Sequence, residues 1–337
     1  MAIDNIPWDT NFDRTYRITF GTREIEYNSV TTPDDVVFPL KKTSTTTITE
    51  ASPSDALSLD NLTDPRGFTF LFETQQVASS KGSDSERTNL TLFNLDEESI
   101  RVLFQPDAVV MIEAGYQGQL TLCYTGDVSN ITPSINPPDI SYKIQLVAAG
   151  NAIRNKMINT HYDENVSEKD IILDMAQQFS GTSLATYGLN DYSGRYKTGG
   201  TGFSGSMITN FDNYMQSKNL EYTFSNNKLY IIPYRIKGAD WDDFKRTNYT
   251  LSEGSIKKVS DMSDNTRKSS KEVQAQVKKY RINTYYLPIE VGQIVTIPDG
   301  VNLSEYAGTY IVKGRRVILQ SKGNAWDVVL DVEQLTI

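Results

Sequence analysis

The sequence has very few residues of the two types that most often bind metals or carry nucleophilic chemistry. It contains one cysteine, Cys123, and one histidine, His161, among 337 residues. One cysteine excludes an internal disulfide, and the two residues together are too few for a zinc site. The chain has no run of 18 apolar residues, and Met1–Asp13 is polar and acidic, unlike a signal peptide. We therefore expect a soluble protein, made in a cytoplasm, without membrane insertion.

Basic residues are outnumbered by acidic ones. The chain holds 42 Asp and Glu against 33 Lys and Arg, a formal net charge of -9 at pH 7. Affinity for nucleic acid comes mainly from clustered lysine and arginine, and the densest basic run is Lys278–Arg281. We interpret this run as one face of a strand or a loop. The balance argues against a general phosphate-binding surface, whereas an acidic wall would let DNA slide past without adhering.

A glycine pattern typical of dinucleotide binding occurs at Gly200, Gly202 and Gly205. It binds a pyrophosphate only when it follows a strand and opens a helix. The preceding residues 191–199 are polar, and no acidic residue at the end of a following strand completes the motif. We interpret residues 187–205 as a glycine-rich loop and predict no cofactor.

Nucleophilic catalysis has little support in the sequence. Ser204 lies in Gly-Phe-Ser-Gly and lacks the Gly-x-Ser-x-Gly spacing of a nucleophile elbow. A Ser-His-Asp arrangement would need His161 as its base, and His161 lies in a polar segment. We expect a solvated surface histidine and assign no catalytic residue.

Acidic pairs at Asp34–Asp35, Glu97–Glu98 and Asp242–Asp243 could support glycosidase chemistry across a cleft. Glu97–Glu98, however, occupies the first turn of a predicted helix, where the helix dipole favours acids. The acids around Trp241 suggest carbohydrate or Ca²⁺ binding but lack the ligand spacing of a calcium loop. We predict no metal site and a protein that is not an enzyme.

Strand-forming residues are abundant, with 19 Tyr, 13 Phe and many Thr. Alternating apolar residues predict strands over Arg14–Gly21 and Gly67–Val77. The long polar segment Val30–Asp64 is interpreted as an extended loop, with a strand over Thr43–Thr49. A segment of this length is either a partner contact or a flexible linker.

Residues Thr88–Val128 form the unit around which the rest is arranged. It begins with a strand carrying Leu90 and Leu92, followed by a short helix that Asp96 caps and whose Ile100, Leu103 and Phe104 share one side. The unit continues with an apolar strand over Ala108–Ala114, a turn over Gly115–Gly118, and a strand with Leu120, Leu122 and Tyr124 on one face. Cys123 lies in this last strand, where we expect it to be small and buried.

This order resembles the core of phage tail hub proteins of contractile-tailed phages. The matching features are Asn-Leu, a short acidic helix, an apolar strand, Ala-Gly-Tyr and a strand ending in Gly-Asp-Val. It also resembles the N-terminal hub part of the type VI secretion spike. In the hub family the corresponding module resembles the tail tube subunit, so the resemblance implies a small β-barrel here.

The most helical part follows at residues 151–235. Ser167 and Asp170 predict the start of a helix, with Ile171, Ile172, Met175 and Phe179 as its apolar stripe. A second helix is predicted over Ser206–Lys218, with Ile208, Phe211, Tyr214 and Met215 facing inward. Leu220–Pro233 is typical of a hairpin with its turn at Asn226–Asn227. This α-α-β-β order resembles the inserted domain of hub proteins.

The C-terminal part resembles the closing barrel of the hub family. Its motifs are Leu-Pro, Val-Gly-Gln-Ile-Val-Thr-Ile, Gly-Thr-Tyr-Ile-Val and Gly-Asn-Ala-Trp. The family typically has a histidine before its final hairpin, where this chain has Arg315-Arg316-Val317. Ile131–Asp139, with three prolines, is interpreted as a linker or crossing segment, and the resemblance assigns the strand Ile140–Ala148 to the second barrel.

We therefore expect a mainly β protein of two tail-tube-like β-barrels with an inserted α-α-β-β domain. The first barrel, with an N-terminal arm, spans 1–130, the split second barrel spans 131–150 and 236–337, and the insert spans 151–235. The resemblance implies a structural hub of a tail baseplate in the virion. A homotrimer would match the six-fold tail tube to a three-fold spike and surround the DNA ejection channel.

The implied partners are the tail tube or tube-initiator protein, the central spike or tip protein and the baseplate wedge proteins. DNA would pass through the lumen without specific binding. The alternative is a carbohydrate-binding or glycan-hydrolysing virion protein that uses Trp241, Trp326 and nearby acids. A trimer without glycan affinity favours the hub, and glycan binding lost in Trp241→Ala favours the alternative.

Overall fold

The computed structural model describes most of the chain. The described residues are 11, 13–23, 36–37, 58–62, 68–79, 81, 86–105, 108–148, 150, 156–179, 183–186, 199–226, 228–233, 248–262, 278–300 and 302–334. Within them the protein is mainly β, and none of the described helices is both long and apolar enough to cross a bilayer. The predicted strands over Thr43–Thr49, the paired acids Asp34–Asp35 and Asp242–Asp243, and Trp241 lie outside the described residues.

The first part of the chain forms eight strands and one helix. Their bounds are β1 Arg14–Arg23, β2 Val36–Val37, β3 Ser58–Asp60, β4 Phe70–Val77, β5 Glu86–Phe93, α1 Glu97–Leu103, β6 Ala108–Tyr116, β7 Gln119–Asn136 and β8 Asp139–Val147. The predicted order of Thr88–Val128 is confirmed: strand, capped helix, strand, turn, strand. The Asp96 carboxylate accepts the amide of Ser99 at 2.8 Å, which is the expected N-terminal cap.

The remaining elements follow in chain order. They are β9 Met157–Tyr162, α2 Glu168–Gln177, β10 Ser183–Thr186, β11 Thr201–Ser206, α3 Met207–Ser217, β12 Leu220–Ser225, β13 Lys228–Pro233, β14 Asn248–Thr250, β15 Ile256–Asp261, β16 Lys279–Tyr285, β17 Ile294–Ile297, β18 Gly308–Gln320 and β19 Trp326–Gln334. Both predicted helices and the predicted hairpin are confirmed. Residues 201–205, interpreted as loop, are instead strand β11, paired antiparallel with β9.

The large sheet contains two runs of six strands. The first run has the order β4-β5-β8-β7-β6-β1, and the second has the order β15-β16-β19-β18-β17-β14. The two runs meet where β18 pairs with β4, from Gly314 opposite Val77 to Gln320 opposite Leu71. The first part of β18 pairs with β17, and a register shift between Val312 and Gly314 separates the two pairings. Strand β18 therefore pairs with β17 of its own run and with β4 of the first run.

Two sequence interpretations of the first run are wrong. Ile131–Asp139, expected to be a linker, lies largely in β7, which continues to Asn136 and turns directly into β8. The strand expected in the second barrel, Ile140–Ala148, pairs instead with β5 and β7 of the first run. The ribbon beyond residue 131 is exposed on both faces, with Ile135 70% exposed. Residues 131–136 are mostly polar or proline, so the sequence shows no alternation of apolar residues there from which a strand could be predicted.

A β-bulge in β7 accounts for a third difference. Ile112 lies opposite Tyr124 and Glu113 lies opposite Leu122, so Cys123 is an extra residue in its strand. The bulge shifts the alternation by one position. Tyr124 and Cys123 are therefore both buried, whereas Leu122 is 42% exposed. The predicted common face of Leu120, Leu122 and Tyr124 is wrong, and the predicted burial of Cys123 is confirmed.

The buried side chains form one large core beneath both runs and a second core in the region of α2 and α3. The large core includes Tyr16, Phe72, Ile112, Leu330 and Trp326. The second includes Ile171, Met175, Phe179, Phe211 and Met215, as the apolar stripes predict. Of the three apolar residues expected on one side of α1, Leu103 is buried, Ile100 is partly buried, and Phe104 is 54% exposed.

Candidate functional site: surfaces and the junction of the insert

The three glycines of the dinucleotide-like pattern have local structural roles. A Cβ on Gly200 would lie 2.9 Å from Cε1 and Nε2 of His161, so the glycine lets the imidazole lie against the backbone. Gly205 has φ +97, a backbone conformation that favours glycine, at the turn from β11 into α3. Gly202 and Gly205 lie in β11 and Gly200 directly precedes it, whereas the glycines of a dinucleotide-binding motif follow a strand.

His161 and Ser204 both lie on the exposed side of the β9–β11 pair. The imidazole Nε2 is 3.8 Å from Oδ1 of Asp163, and both side chains are largely exposed. Gly202 lies directly opposite His161, while Ser204 lies opposite Asn159. This is the solvated surface histidine that the sequence predicts, without the base-to-nucleophile hydrogen bond of a triad.

Trp326, named for the carbohydrate-binding alternative, is 1% exposed. Its ring lies in the core between Tyr16 and Phe70, with centroid distances of 6.4 and 6.2 Å. The Arg14 guanidinium covers it at 5.7 Å. A ring enclosed in this way cannot stack on a sugar, which removes one of the two tryptophans from that alternative. Glu97, from the acidic pair Glu97–Glu98, is exposed in the first turn of α1, where the sequence predicts it.

The basic run Lys278–Arg281 is confirmed as strand for its last three residues. Its exposed cations face carboxylates of β19: Lys279 lies 3.3 Å from Glu333, and Arg281 makes two bonds to Asp331 at 2.7 and 2.9 Å. A groove of about 380 Å³ on this face is lined by Arg281, Arg316, Lys258 and Asp331, among others. Arg281 and Arg316 are both paired with acids, which neutralises part of the positive charge of the groove.

Arg315, the first residue of the Arg315-Arg316-Val317 segment noted in the sequence, is 2% exposed. Its Nη2 donates to the carbonyl oxygen of Cys123 at 3.0 Å and lies 3.8 Å from the sulfur. Burial raises the pKa of the Cys123 thiol, which keeps it protonated and unreactive. The pair connects β18 of the second run to β7 of the first. The sequence, with two adjacent arginines, does not indicate which of the two is buried.

Glu86, at the start of β5, was not singled out in the sequence. Its Oε1 accepts from the Tyr124 hydroxyl at 2.5 Å and from Thr88 at 2.9 Å, and its Oε2 accepts the amide of Ala148 at 2.8 Å. Burial raises the pKa of this carboxyl to about 7. The residue shares its face with Thr88 and Leu90, so strand alternation extended by one step would have placed it inward.

The tip of the β12–β13 hairpin contains a second polar junction that sequence reasoning missed. Asn226, 6% exposed and with φ 50, accepts the amide of Thr125 at 3.0 Å and donates to Oε1 of Glu290 at 2.6 Å. The Tyr230 hydroxyl also donates to Glu290. The sequence predicts the turn, but it does not indicate that Asn226 bonds to Thr125 and Glu290, because both residues are distant in the sequence.

Within the described ranges, no three His, Cys, Asp or Glu side chains are grouped so as to hold a metal ion. The described residues form a sheet shared by two runs, a ribbon that is exposed on both faces and buried polar junctions between the runs.

Comparison with known proteins was made by sequence and by structure. No protein-family model and no curated protein sequence matches the chain. Among solved structures, a tail protein from Neisseria meningitidis MC58 superposes with a TM-score of 0.52 at 10% identity, covering 95% of this chain and 96% of that one. The 43 kDa tail protein of prophage MuSo2 from Shewanella oneidensis gives a TM-score of 0.50 at 10% identity, covering 80% and 95%.

A third similar structure is the E. coli c3393 protein, described as a type VI secretion system component similar to the T4 tail proteins gp27 and gp5. It gives a TM-score of 0.50 at 9% identity and covers 80% of this chain and 74% of that one. At such low identity these likenesses establish the fold alone. The resemblance seen in Thr88–Val128 is confirmed at that level: this chain has the fold shared by phage tail proteins and a type VI secretion component.

Proposed function

We propose that this protein is a structural hub of a phage tail baseplate and is not an enzyme. The observation that carries the proposal is the pair of six-stranded runs in one chain, within a fold shared with phage tail proteins. Three copies of such a chain present six similar β modules around an axis. A homotrimer of this kind adapts a six-fold tail tube to a three-fold central spike.

We also propose a division into domains and a set of partners. The two runs are two tail-tube-like β-barrels, and residues 151–235 form an α+β domain that lies between them in the chain. The trimer binds the tail tube or tube-initiator protein on one side, the spike or tip protein on the other, and wedge proteins at its rim. In the virion of a contractile tail it surrounds the DNA ejection channel, and the net charge of -9 disfavours adhesion of DNA to its wall.

The test is the symmetry of the purified protein. We expect sedimentation to give a trimer, alone or after mixing with tube or spike proteins, and electron microscopy to give a ring with three-fold symmetry and six similar peripheral densities. Stable assembly of this kind requires extensive subunit contacts, typically about 2,000–5,000 Å² each. A chain that stays monomeric with both partners present, or a ring of another symmetry, contradicts the hub.

The glycan alternative has a direct control. Trp326 is buried in the core, so the alternative now depends on Trp241. Binding of a glycan array by the wild type, lost in Trp241→Ala, would favour a carbohydrate-binding protein over the hub. We expect no such binding.

A further inference from the structure

The tip of the β12–β13 hairpin lies between the two six-stranded runs. Its residue Asn226 accepts the amide of Thr125, in β7 of the first run, at 3.0 Å. The same side chain donates to Glu290, which lies between β16 and β17 of the second run, at 2.6 Å. A single buried amide group is therefore bonded to both runs.

The body of the hairpin repeats this double attachment. Toward the first run, Tyr222 and Ser79 exchange two backbone hydrogen bonds, of 3.1 and 2.8 Å, just beyond the end of β4. Toward the second run, Glu221 accepts from Lys313 of β18 at 2.7 Å, with the two side chains only 15% and 16% exposed. Two consecutive residues of β12, Glu221 and Tyr222, are thus bonded to different runs.

An apolar contact fills the space between these bonds. Ile232 of β13 packs in a small buried cluster with Ala78, Val291, Ile294 and Ile311. Ala78 follows β4 of the first run, and the other three belong to the second run or the loop before β17. The hairpin therefore packs against both runs close to the end of the β4–β18 pairing.

The two runs also meet through the β4–β18 pairing, the shared core and the hydrogen bond from Arg315 to the carbonyl oxygen of Cys123. Apolar contact is non-directional, and the twist between neighbouring strands varies over about 10–35° among sheets. Hydrogen bonds are directional, and a buried donor or acceptor left unpaired is destabilising. Because the hairpin bonds reach both runs, they add directional constraints on the angle between them.

We infer that the β12–β13 hairpin is a positioning element that fixes the angle between the two six-stranded runs. Its importance for assembly rests on the proposed function, since a ring of six equivalent positions needs the same angle within every copy. The inference about the angle itself concerns the single chain and does not depend on assembly.

The structure offers a matched pair of variants. Asn226→Gly keeps a residue suited to φ 50 and deletes the amide that bonds both runs. Asn219→Gly is the control, because Asn219 has φ 55 and is exposed at the end of α3. Both variants replace an asparagine of positive φ by glycine, and they differ in whether the lost side chain is buried and bonded to the two runs.

The measurement is the distance between spin labels on the two runs of the monomer. Lys143→Cys in β8 and Lys258→Cys in β15 provide exposed attachment sites, while the native Cys123 is buried and resists labelling. We expect pulsed electron paramagnetic resonance to show a broadened and shifted distance distribution in Asn226→Gly. The distribution in Asn219→Gly is expected to match that of the unsubstituted chain.

Equal distributions in both variants overturn the inference, whatever the assembly state. Should Asn226→Gly fail to fold, Tyr230→Phe removes only the hydroxyl that donates to Glu290, and an unchanged distribution there has the same meaning. A broadened distribution in a chain that never forms trimers supports the hairpin's role and contradicts the hub. Trimers with unchanged distances support the hub and overturn the hairpin's role.

Discussion

At the residue scale, Glu86 shows how a carboxyl is retained inside a sheet. Three protein donors face its two oxygens, from Tyr124, Thr88 and Ala148. Burial nevertheless dominates and raises its pKa to about 7, with the nearby Asp127 acting in the same direction. Because Ala148 is the residue at which the chain leaves β8, protonation of this carboxyl is coupled to the local fold.

The raised pKa predicts how stability changes with pH. Between the ordinary value of 4.5 and about 7, the folded state holds a proton that the unfolded state has lost, so the free energy of unfolding falls as pH rises. Glu86→Gln mimics the protonated form and should remove this decline, a difference of roughly 1–3 kcal/mol. Chemical denaturation at pH 4.5 and 8 measures it.

The control for this prediction is Glu73→Gln, since Glu73 is 42% exposed and paired with Arg316. It should leave the pH slope between 4.5 and 7 as it is in the unsubstituted protein. A slope that persists in Glu86→Gln would show that another group binds the proton.

Trp326 gives a second prediction at this scale. Because it is fully enclosed by Tyr16, Phe70 and the rest of the core, Trp326→Ala should lower the free energy of unfolding by about 3–5 kcal/mol. Leu122→Ala, at a 42% exposed position, should change it by no more than about 0.5 kcal/mol. Similar losses in the two variants would contradict the assignment of Trp326 to the core.

At the scale of the element, two helices begin with serine but differ in how the serine is used. The Ser167 side chain accepts the amide of Asp170 at 3.0 Å at the start of α2. Ser206 precedes α3 without a side-chain cap bond. The same residue type therefore contributes a hydrogen bond to one helix and mainly an extended backbone to the other.

This difference is testable with a matched pair. Ser167→Ala should destabilise the protein by about 1 kcal/mol, the usual cost of losing a cap bond, whereas Ser206→Ala should cost clearly less. Thermal or urea unfolding of the two variants makes the comparison. A larger loss in Ser206→Ala would mean that the cap geometry does not determine the stability of these helices.

Elements with a strong local signal could be predicted from the sequence, and the others could not. The stripe of Ile171, Met175 and Phe179 and the alternation of Phe70 and Phe72 each indicate one structure. Residues 131–136 form a strand through backbone pairing with β8 alone, which leaves no side-chain pattern. The bulge at Cys123 and the bonds of Asn226 depend on partners far away in the sequence, so no local pattern could reveal them.

At the scale of the whole molecule, the β4–β18 pairing makes one sheet of two runs. Amides that are hydrogen-bonded in the interior of a sheet exchange only on larger openings, while exposed ribbons open readily. The order of the strands places β4 and β18 in the interior and leaves the end of the β7–β8 ribbon with pairing only between its own strands.

Hydrogen exchange measured by mass spectrometry should separate these two regions. We expect slow exchange in 71–77 and 314–320 and exchange faster by orders of magnitude in 132–140, which is exposed throughout. The core strand β6 serves as the reference for slow exchange. If 314–320 exchanged as fast as the ribbon, the two runs would not form a continuous sheet in solution.

The sharing of β18 also affects how the protein can be divided. A fragment that stops after β8 would present the open edge of β4, Phe-Leu-Phe-Glu-Thr-Gln-Gln-Val, with its main-chain donors and acceptors unoccupied. An uncovered edge of this kind recruits strands from other molecules. Severing the chain between its halves would thus convert the internal β4–β18 pairing into an exposed edge prone to aggregation.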